Sequence, residues 1–350
     1  MLKKAQGYEK KRVKKIRKVK IWTRLILILS GLFVGGLICE FILSVTKFAP
    51  EVGTISVGRF KLSNNPAIGY EPVPNYEYYG KDLYFYEFHG KSNSLGFRDG
   101  EHSLQKKEGV YRILIIGDSI SMGLGIERTE DIYPVLLEKK LGELNKNIEV
   151  INFGVSGYNT QQEVGILIEK GLRFKPDLVL LQYCLNDITE VNGGIVEELR
   201  RREGESKRID QSLVNPYLFQ SAIYRFIYYR IFPNIFNKKV EARHKALDLL
   251  KNDTVKKSFQ LLRRVTDENK FDVVVVVFPE FTGYLNAEYE RISKLCKENK
   301  FFYLNLKPSF KELSQKGEQV MLDMWHPSVS GHAWAANTII EYLVNNRIIK

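Results

Sequence analysis

Five short apolar runs, at residues 111–116, 148–152, 177–183, 272–278 and 302–306, are separated by stretches with helical periodicity. The helical patterns fall near 131–145, 161–172, 245–269 and 286–299, with a last one near 329–345. That alternation leaves few folds open. Strands joined through helices lie parallel, because the return crossover carries the chain back to the same end of the sheet. Within Asp272-Val273-Val274-Val275-Val276-Val277-Phe278, the five valines form a continuous apolar, β-branched run, as a strand covered on both faces requires. The expected class is therefore α/β, a parallel sheet of about five strands with helices on both faces. In such sheets the functional site lies outside the carboxyl ends of the strands.

Gly117-Asp118-Ser119-Ile120 stands directly behind the first of these runs. A Ser there is presented on a tight turn, and Ser121-Met122-Gly123-Leu124-Gly125 supplies the small residues that such a turn tolerates. A serine hydroxyl is a poor nucleophile at neutral pH, so it needs a base, and the base needs an orienting group. Asp323-Met324-Trp325-His326, on a loop before the last helix, offers both. Ser119 is thus the candidate nucleophile, His326 the general base and Asp323 its orienter. Asp118 and Asp187 are read as turn-stabilising carboxylates. Cys184, at the end of an apolar run, reads as an inert small hydrophobe. His89, His102 and His244 have no motif around them and read as surface or connector residues; His332, on the last helix, is a weaker base candidate and reads rather as a packed residue or one that supports the site from behind.

Four segments, in order, carry a family resemblance. YRILIIGDSISMGLGI (111–126) resembles block I of the SGNH/GDSL hydrolases, INFGVSGYNT (151–160) block II, LQYCLND (181–187) block III and DMWHP (323–327) block V. The resemblance covers about Tyr111 to Asn345. It implies a flavodoxin-like α/β/α sandwich and ester hydrolysis through Ser119, Asp323 and His326. It also implies an oxyanion hole made by the backbone N–H groups of Ser119 and Gly154 and the side-chain amide of Asn186. Ile120 replaces the family's Leu, and Cys184 stands where the family usually carries Gly. SNSLGFRDG (92–100) resembles a lead-in found among membrane-attached SGNH proteins. Acyl transfer to a sugar hydroxyl by the same triad, and a catalytically silent envelope-binding module, are the alternatives.

The net charge of +12 belongs to one end of the chain. Residues 1–24 hold 11 Lys/Arg and a single acid, Glu9, and the remainder is nearly neutral at +2. Charge totals thus give no nucleic-acid-binding face. The basic tail precedes Leu25 to Val45, 21 residues with one charge, Glu40. As a helix this run is about 32 Å long, close to the hydrocarbon thickness of a bilayer. Basic residues crowd its first end, while Lys47 is the only base shortly after it, which puts the N-terminus in the cytoplasm. No A-x-A-like cleavage site follows, so the run reads as an uncleaved signal anchor. Glu40 reads as a charge tolerated near the interface. Cys39, Cys184 and Cys296 form no disulfide framework, and no zinc-like spacing or phosphate loop occurs, so neither a metal nor a cofactor is expected.

The organisation expected is a basic cytoplasmic tail (1–24), a transmembrane signal anchor (25–45), an extracytoplasmic connector (46–110) and a catalytic domain (111–350). The connector is rich in aromatics (Tyr76, Tyr78, Tyr79, Tyr84, Phe85, Tyr86, Phe88) that either line a cleft or glue the segment to the core. An insertion at about 188–245 carries NPYLFQSAIYRFIYYRIFPNIF (215–236), either a cap or membrane-touching helix or an aromatic helix packed on the main domain. The expected substrate is an acylated glycan or lipid of the cell envelope, and no protein partner is implied.

Overall fold

The computed structural model describes residues 2–46, 59–78, 90–144, 147–184, 195–196, 199, 221–227, 254–281 and 286–349. The chain divides into two compact units, residues 1–52 with 211–236, and residues 53–210 with 237–350.

In the first unit, Leu2–Val45 is one helix, α1, whose apolar part spans Trp22–Val45 with most of its side chains exposed. Among the described residues, the second unit begins with two small antiparallel pairs in the segment that the sequence marks as a connector. β1 (Phe60–Leu62) pairs with β2 (Tyr70–Pro72), and β3 (Glu77–Tyr78) with β4 (Gly90–Lys91). The main sheet follows: β5 (Tyr111–Gly117), β6 (Ile148–Gly154), β7 (Leu178–Tyr183), β8 (Asp272–Val277) and β9 (Phe302–Asn305). Every neighbouring pair is parallel, in the order β6-β5-β7-β8-β9. This is the flavodoxin-like order, and the direction of winding reverses between β5 and β7. The crevice where ligands bind in such sheets therefore opens directly above β5.

Side-chain alternation divides the core into two layers. Leu114, Ile116, Val273, Val275 and Val277 face one side, with α4 (Thr160–Glu169), α6 (254–269) and α7 (Asn286–Glu298). Ile113, Ile115, Val274 and Val276 face the other, with α3 (Tyr133–Leu144), α8 (Lys307–Gln315) and α9 (Val329–Asn345). Each of these buried branched side chains is worth roughly 1.5–3 kcal/mol of transfer free energy, so the two-faced burial holds the register. The helix expected near 245–269 is seen from residue 254, its earlier part lying outside the described residues. Helix α8 has no counterpart in the sequence reading. It buries Phe310 and packs the partly buried Leu313 beside it.

The connector supplies part of this core. Phe60, Ile68, Tyr70 and Phe97 are buried in the first layer, and Phe97 stacks on Phe153 of β6 with ring centroids 4.0 Å apart. Tyr78 packs on Met122 and Leu124, with Tyr76 beside it. Tyr79, Tyr84, Phe85, Tyr86 and Phe88 lie outside the described residues, as do His89 and His244.

Candidate active site

Ser119 opens a one-turn helix, α2 (Ser119–Met122), immediately beyond β5. Asp118 caps it, its Oδ1 accepting the Ile120 N–H at 2.8 Å, so this carboxylate is occupied with the turn. Gln182 of β7, not singled out in the sequence, braces the same turn. Its Oε1 accepts the Asp118 N–H at 2.9 Å and the Ser121 hydroxyl at 2.9 Å. A Cβ at Gly117 would lie 2.4 Å from that oxygen and 2.3 Å from Ser121 Oγ, which is why only glycine fits there. The helix ends at Gly123, which is left-handed (φ 77°).

The Ser119 hydroxyl lies 3.0 Å from His326 Nε2, and His326 Nδ1 lies 2.7 Å from Asp323 Oδ2. Asp323 Oδ1 accepts the N–H groups of Trp325 and His326, each at 2.7 Å. The loop that carries them closes on itself through an antiparallel bridge between Met321 and Pro327 and the Leu322 N–H to His326 O bond. Burial works against the Asp323 charge. The His326 ring and the two amides outweigh it and hold the carboxyl below its ordinary range. A carboxylate, an imidazole with its Nδ1–H directed at that carboxylate, and a hydroxyl facing Nε2 form the relay that serine catalysis needs.

The oxyanion donors expected from the sequence fare differently. The Ser119 N–H has no hydrogen-bond partner among the described residues. The Gly154 N–H, by contrast, donates to Asn152 Oδ1 at 3.0 Å, so it is committed elsewhere. Gly154 is needed for space: a Cβ would lie 2.4 Å from the Met122 backbone nitrogen. Gly157, three residues on, sits in a turn at φ 82°, and its N–H has no partner among the described residues. Asn186 and Asp187 lie outside the described residues. Cys184 is buried.

A scaffold upstream of Ser119 supports the turn. The Arg98 guanidinium, 2% exposed, donates to Gly123 O at 2.7 Å, Ile126 O at 2.8 Å and Glu127 O at 3.3 Å, and Nε to Thr129 Oγ1 at 3.3 Å. Asp99 Oδ2 accepts the Asn152 N–H at 2.7 Å, and Asn152 Nδ2 donates to Ser121 O at 2.9 Å. Asn93 Oδ1 fixes the approach by accepting the Leu95 and Phe97 N–H groups at 3.0 and 2.9 Å. The Asn-Ser-Leu-Gly-Phe-Arg-Asp run was visible in the sequence, but its partners were not.

Two histidines differ from simple surface residues. His102 is clamped between Asp99 (3.0 Å) and Glu149 (2.9 Å). Burial opposes its charge, but the two carboxylates outweigh it and lift its pKa to about 9. His102 is thus a connector residue, as expected, and it ties the connector to β6 through Glu149. His332 is fully buried, and burial, with the Arg98 and His326 charges adding, pushes its pKa down to about 3. Its Nδ1 accepts the Tyr133 N–H at 3.1 Å, so it is a packed neutral residue as expected.

The GDSL-like lipase/acylhydrolase family matches this chain over residues 115–334, well over half its length. No curated relative matches in sequence. Among solved structures, an acetyl xylan esterase, AlAXEase, is similar at 15% identity and TM-score 0.42, covering 66% of this chain and 99% of its own. TesA is similar at 16% identity and TM-score 0.39, covering 66% of this chain and 97% of its own. A lipolytic protein of the G-D-S-L family from Veillonella parvula DSM 2008 is similar at 14% identity and TM-score 0.42, covering 67% of this chain and 99% of its own.

Proposed function

Because the chain belongs to the GDSL-like lipase/acylhydrolase family, whose members are carboxylic ester hydrolases, we propose that it cleaves its ester through an acyl-enzyme on Ser119. The observation that carries this reading is the line from Ser119 Oγ through the His326 ring to Asp323, at 3.0 and 2.7 Å. Ser119 Oγ adds to the ester carbonyl while His326 Nε2 takes its proton. The imidazolium that forms is stabilised by the Asp323 carboxylate, which also fixes the ring orientation.

The oxyanion of the tetrahedral intermediate then needs donors already in place. The Ser119 N–H is one. Gly157 supplies the second in place of Gly154, because its N–H has no partner among the described residues and it lies beyond the carboxyl end of β6, beside β5. Asn186 is assigned the third by resemblance. Collapse of the intermediate breaks the ester C–O bond, and the leaving alcohol takes the proton from His326. Water, deprotonated by the same ring, attacks the Ser119 ester and releases the acid and the free hydroxyl.

The substrate assigned is an acylated molecule of the cell envelope, an O-acyl glycan or a lipid. Its support is location: the apolar run Trp22–Val45 is long enough to cross a bilayer, and the basic residues lie on its N-terminal side. A fluorophosphonate and an aryl acetate test the chemistry on the full-length protein in detergent. The phosphonate should add to the Ser119 peptide, and Ser119→Ala should abolish both labelling and hydrolysis. Labelling elsewhere, or no turnover of any aryl acetate, would defeat the reading. A reporter fused after residue 60 tests the location, and activity confined to the cytoplasm would reverse the orientation.

A further inference from the structure

Glu40 lies within the apolar part of α1, five residues before its end at Val45. Its carboxylate is engaged by a segment 181 residues away in sequence. Oε2 accepts the Ser221 hydroxyl at 2.8 Å and the Ile223 N–H at 3.0 Å, and Oε1 accepts the Ala222 N–H. These groups form the start of a short helix, α5 (Ala222–Phe226), in the same compact unit as α1.

Depth makes this contact informative. The 24-residue apolar span is about 36 Å long as a helix, against about 30 Å of hydrocarbon. If the span is centred, Glu40 sits about 10 Å from the midplane, roughly 5 Å inside the hydrocarbon edge. A carboxylate at that depth needs a partner from the protein. Backbone N–H groups at that depth need one as well, and the first amides of a helix have none within the helix. The contact between Glu40 and residues 221–223 meets both needs at once, and neither group would be accommodated there alone.

From this we propose that residues 221–227 form a second membrane element, seated in the leaflet at the Val45 end of α1 and held there by Glu40. The surface that receives it is the boundary between lipid headgroups and hydrocarbon. Ile223, Tyr224, Phe226 and Ile227 are only partly covered by the protein, which leaves apolar and aromatic area for lipid, and aromatic rings suit that boundary. The proposal rests on α1 being a membrane anchor.

Full-length protein carrying Cys39→Ser, with Cys184 and Cys296 left buried, provides the background. Single cysteines replace Tyr224, Leu29 (mid-span) or Lys316 (exposed), and a nitroxide is attached in vesicles of phosphatidylethanolamine and phosphatidylglycerol. Oxygen and a water-soluble nickel chelate then report depth by their relaxation of the label. The label at 224 should meet oxygen in excess of nickel, as at 29, and Glu40→Ala should raise nickel access at 224 several-fold toward the value at 316. Glu40→Gln, which keeps one acceptor oxygen, should fall between. Nickel access at 224 already equal to that at 316, with 29 protected, would overturn this proposal alone. Unchanged access at 224 in Glu40→Ala would overturn the role of Glu40. Nickel access at position 29 would overturn the anchor itself and the proposal with it.

Discussion

Ser119 Oγ and His326 Nε2 stand 3.0 Å apart although 207 residues separate them. The sheet brings them together: β5 delivers the serine to the crevice at the reversal of strand order, and the loop ahead of α9 returns the histidine to it. Replacing either residue should therefore remove the relay while leaving both core layers intact. Ser119→Ala and His326→Ala are each expected to lower kcat toward an aryl acetate by about 10⁴-fold or more. Asp323→Asn, which keeps an oxygen for the Trp325 and His326 amides, should cost about 10³–10⁴-fold. Unchanged far-ultraviolet circular dichroism checks that the fold is retained, and activity in Ser119→Ala would exclude the mechanism.

Arg98 is the second point of sensitivity. Its guanidinium satisfies the carbonyls of Gly123, Ile126 and Glu127 in a buried site. Leaving buried acceptors unpaired costs about 1–3 kcal/mol each, so Arg98→Met should destabilise by about 3 kcal/mol or more. Arg98→Lys should recover only part of this, because an ammonium cannot reproduce the planar fork. Urea unfolding gives the stability, and the rate of phosphonate labelling at Ser119 under native conditions reports the turn. Normal stability and labelling in Arg98→Met would show that the turn holds itself.

The two glycines after β6 should separate. A Cβ at Gly154 meets the Met122 nitrogen and the Ser121 backbone, and neither can move without shifting α2. Gly154→Ala is thus expected to lower both the melting temperature and the rate. Gly157→Ala places a side chain at φ 82°, a strain of about 1–2 kcal/mol, and should impair kcat more than stability if its N–H serves the oxyanion. Parallel measurement of kcat and melting temperature distinguishes the two. An equal loss of rate per degree at both positions would remove Gly157 from the oxyanion hole.

His102 predicts a pH signature of stability. Its pKa is raised in the fold by Asp99 and Glu149, from an ordinary value near 6.5 to about 9. The protonated form is the one that the fold prefers, so its contribution is complete below about pH 6.5 and is lost as pH rises toward 9. The loss is at most about 3 kcal/mol. Glu138 and Arg112 also act on this cluster, so the comparison must be with His102→Gln rather than with pH alone. The difference in unfolding free energy between the two proteins should shrink from pH 6.5 to pH 9. A constant difference would mean that His102 is not charged in the fold.

The amino-acid sequence by itself determined the strands of the main sheet, its parallel character and the residue types of the Ser119, Asp323 and His326 relay. These are legible because they are written locally, as β-branched runs, as the period of each helix and as short segments that fold onto one turn. Tertiary structure decided the rest, because a hydrogen bond is completed by a partner that chain position does not reveal. The Gly154 N–H looked available until Asn152 was seen to accept it, and Gly157 carries an N–H with no partner among the described residues. Arg98 gave no sign of its place until the carbonyls that follow the Ser119 turn closed around it. Glu40 read as a tolerated charge, and only the packing of residues 221–223 against α1 gave its carboxylate partners.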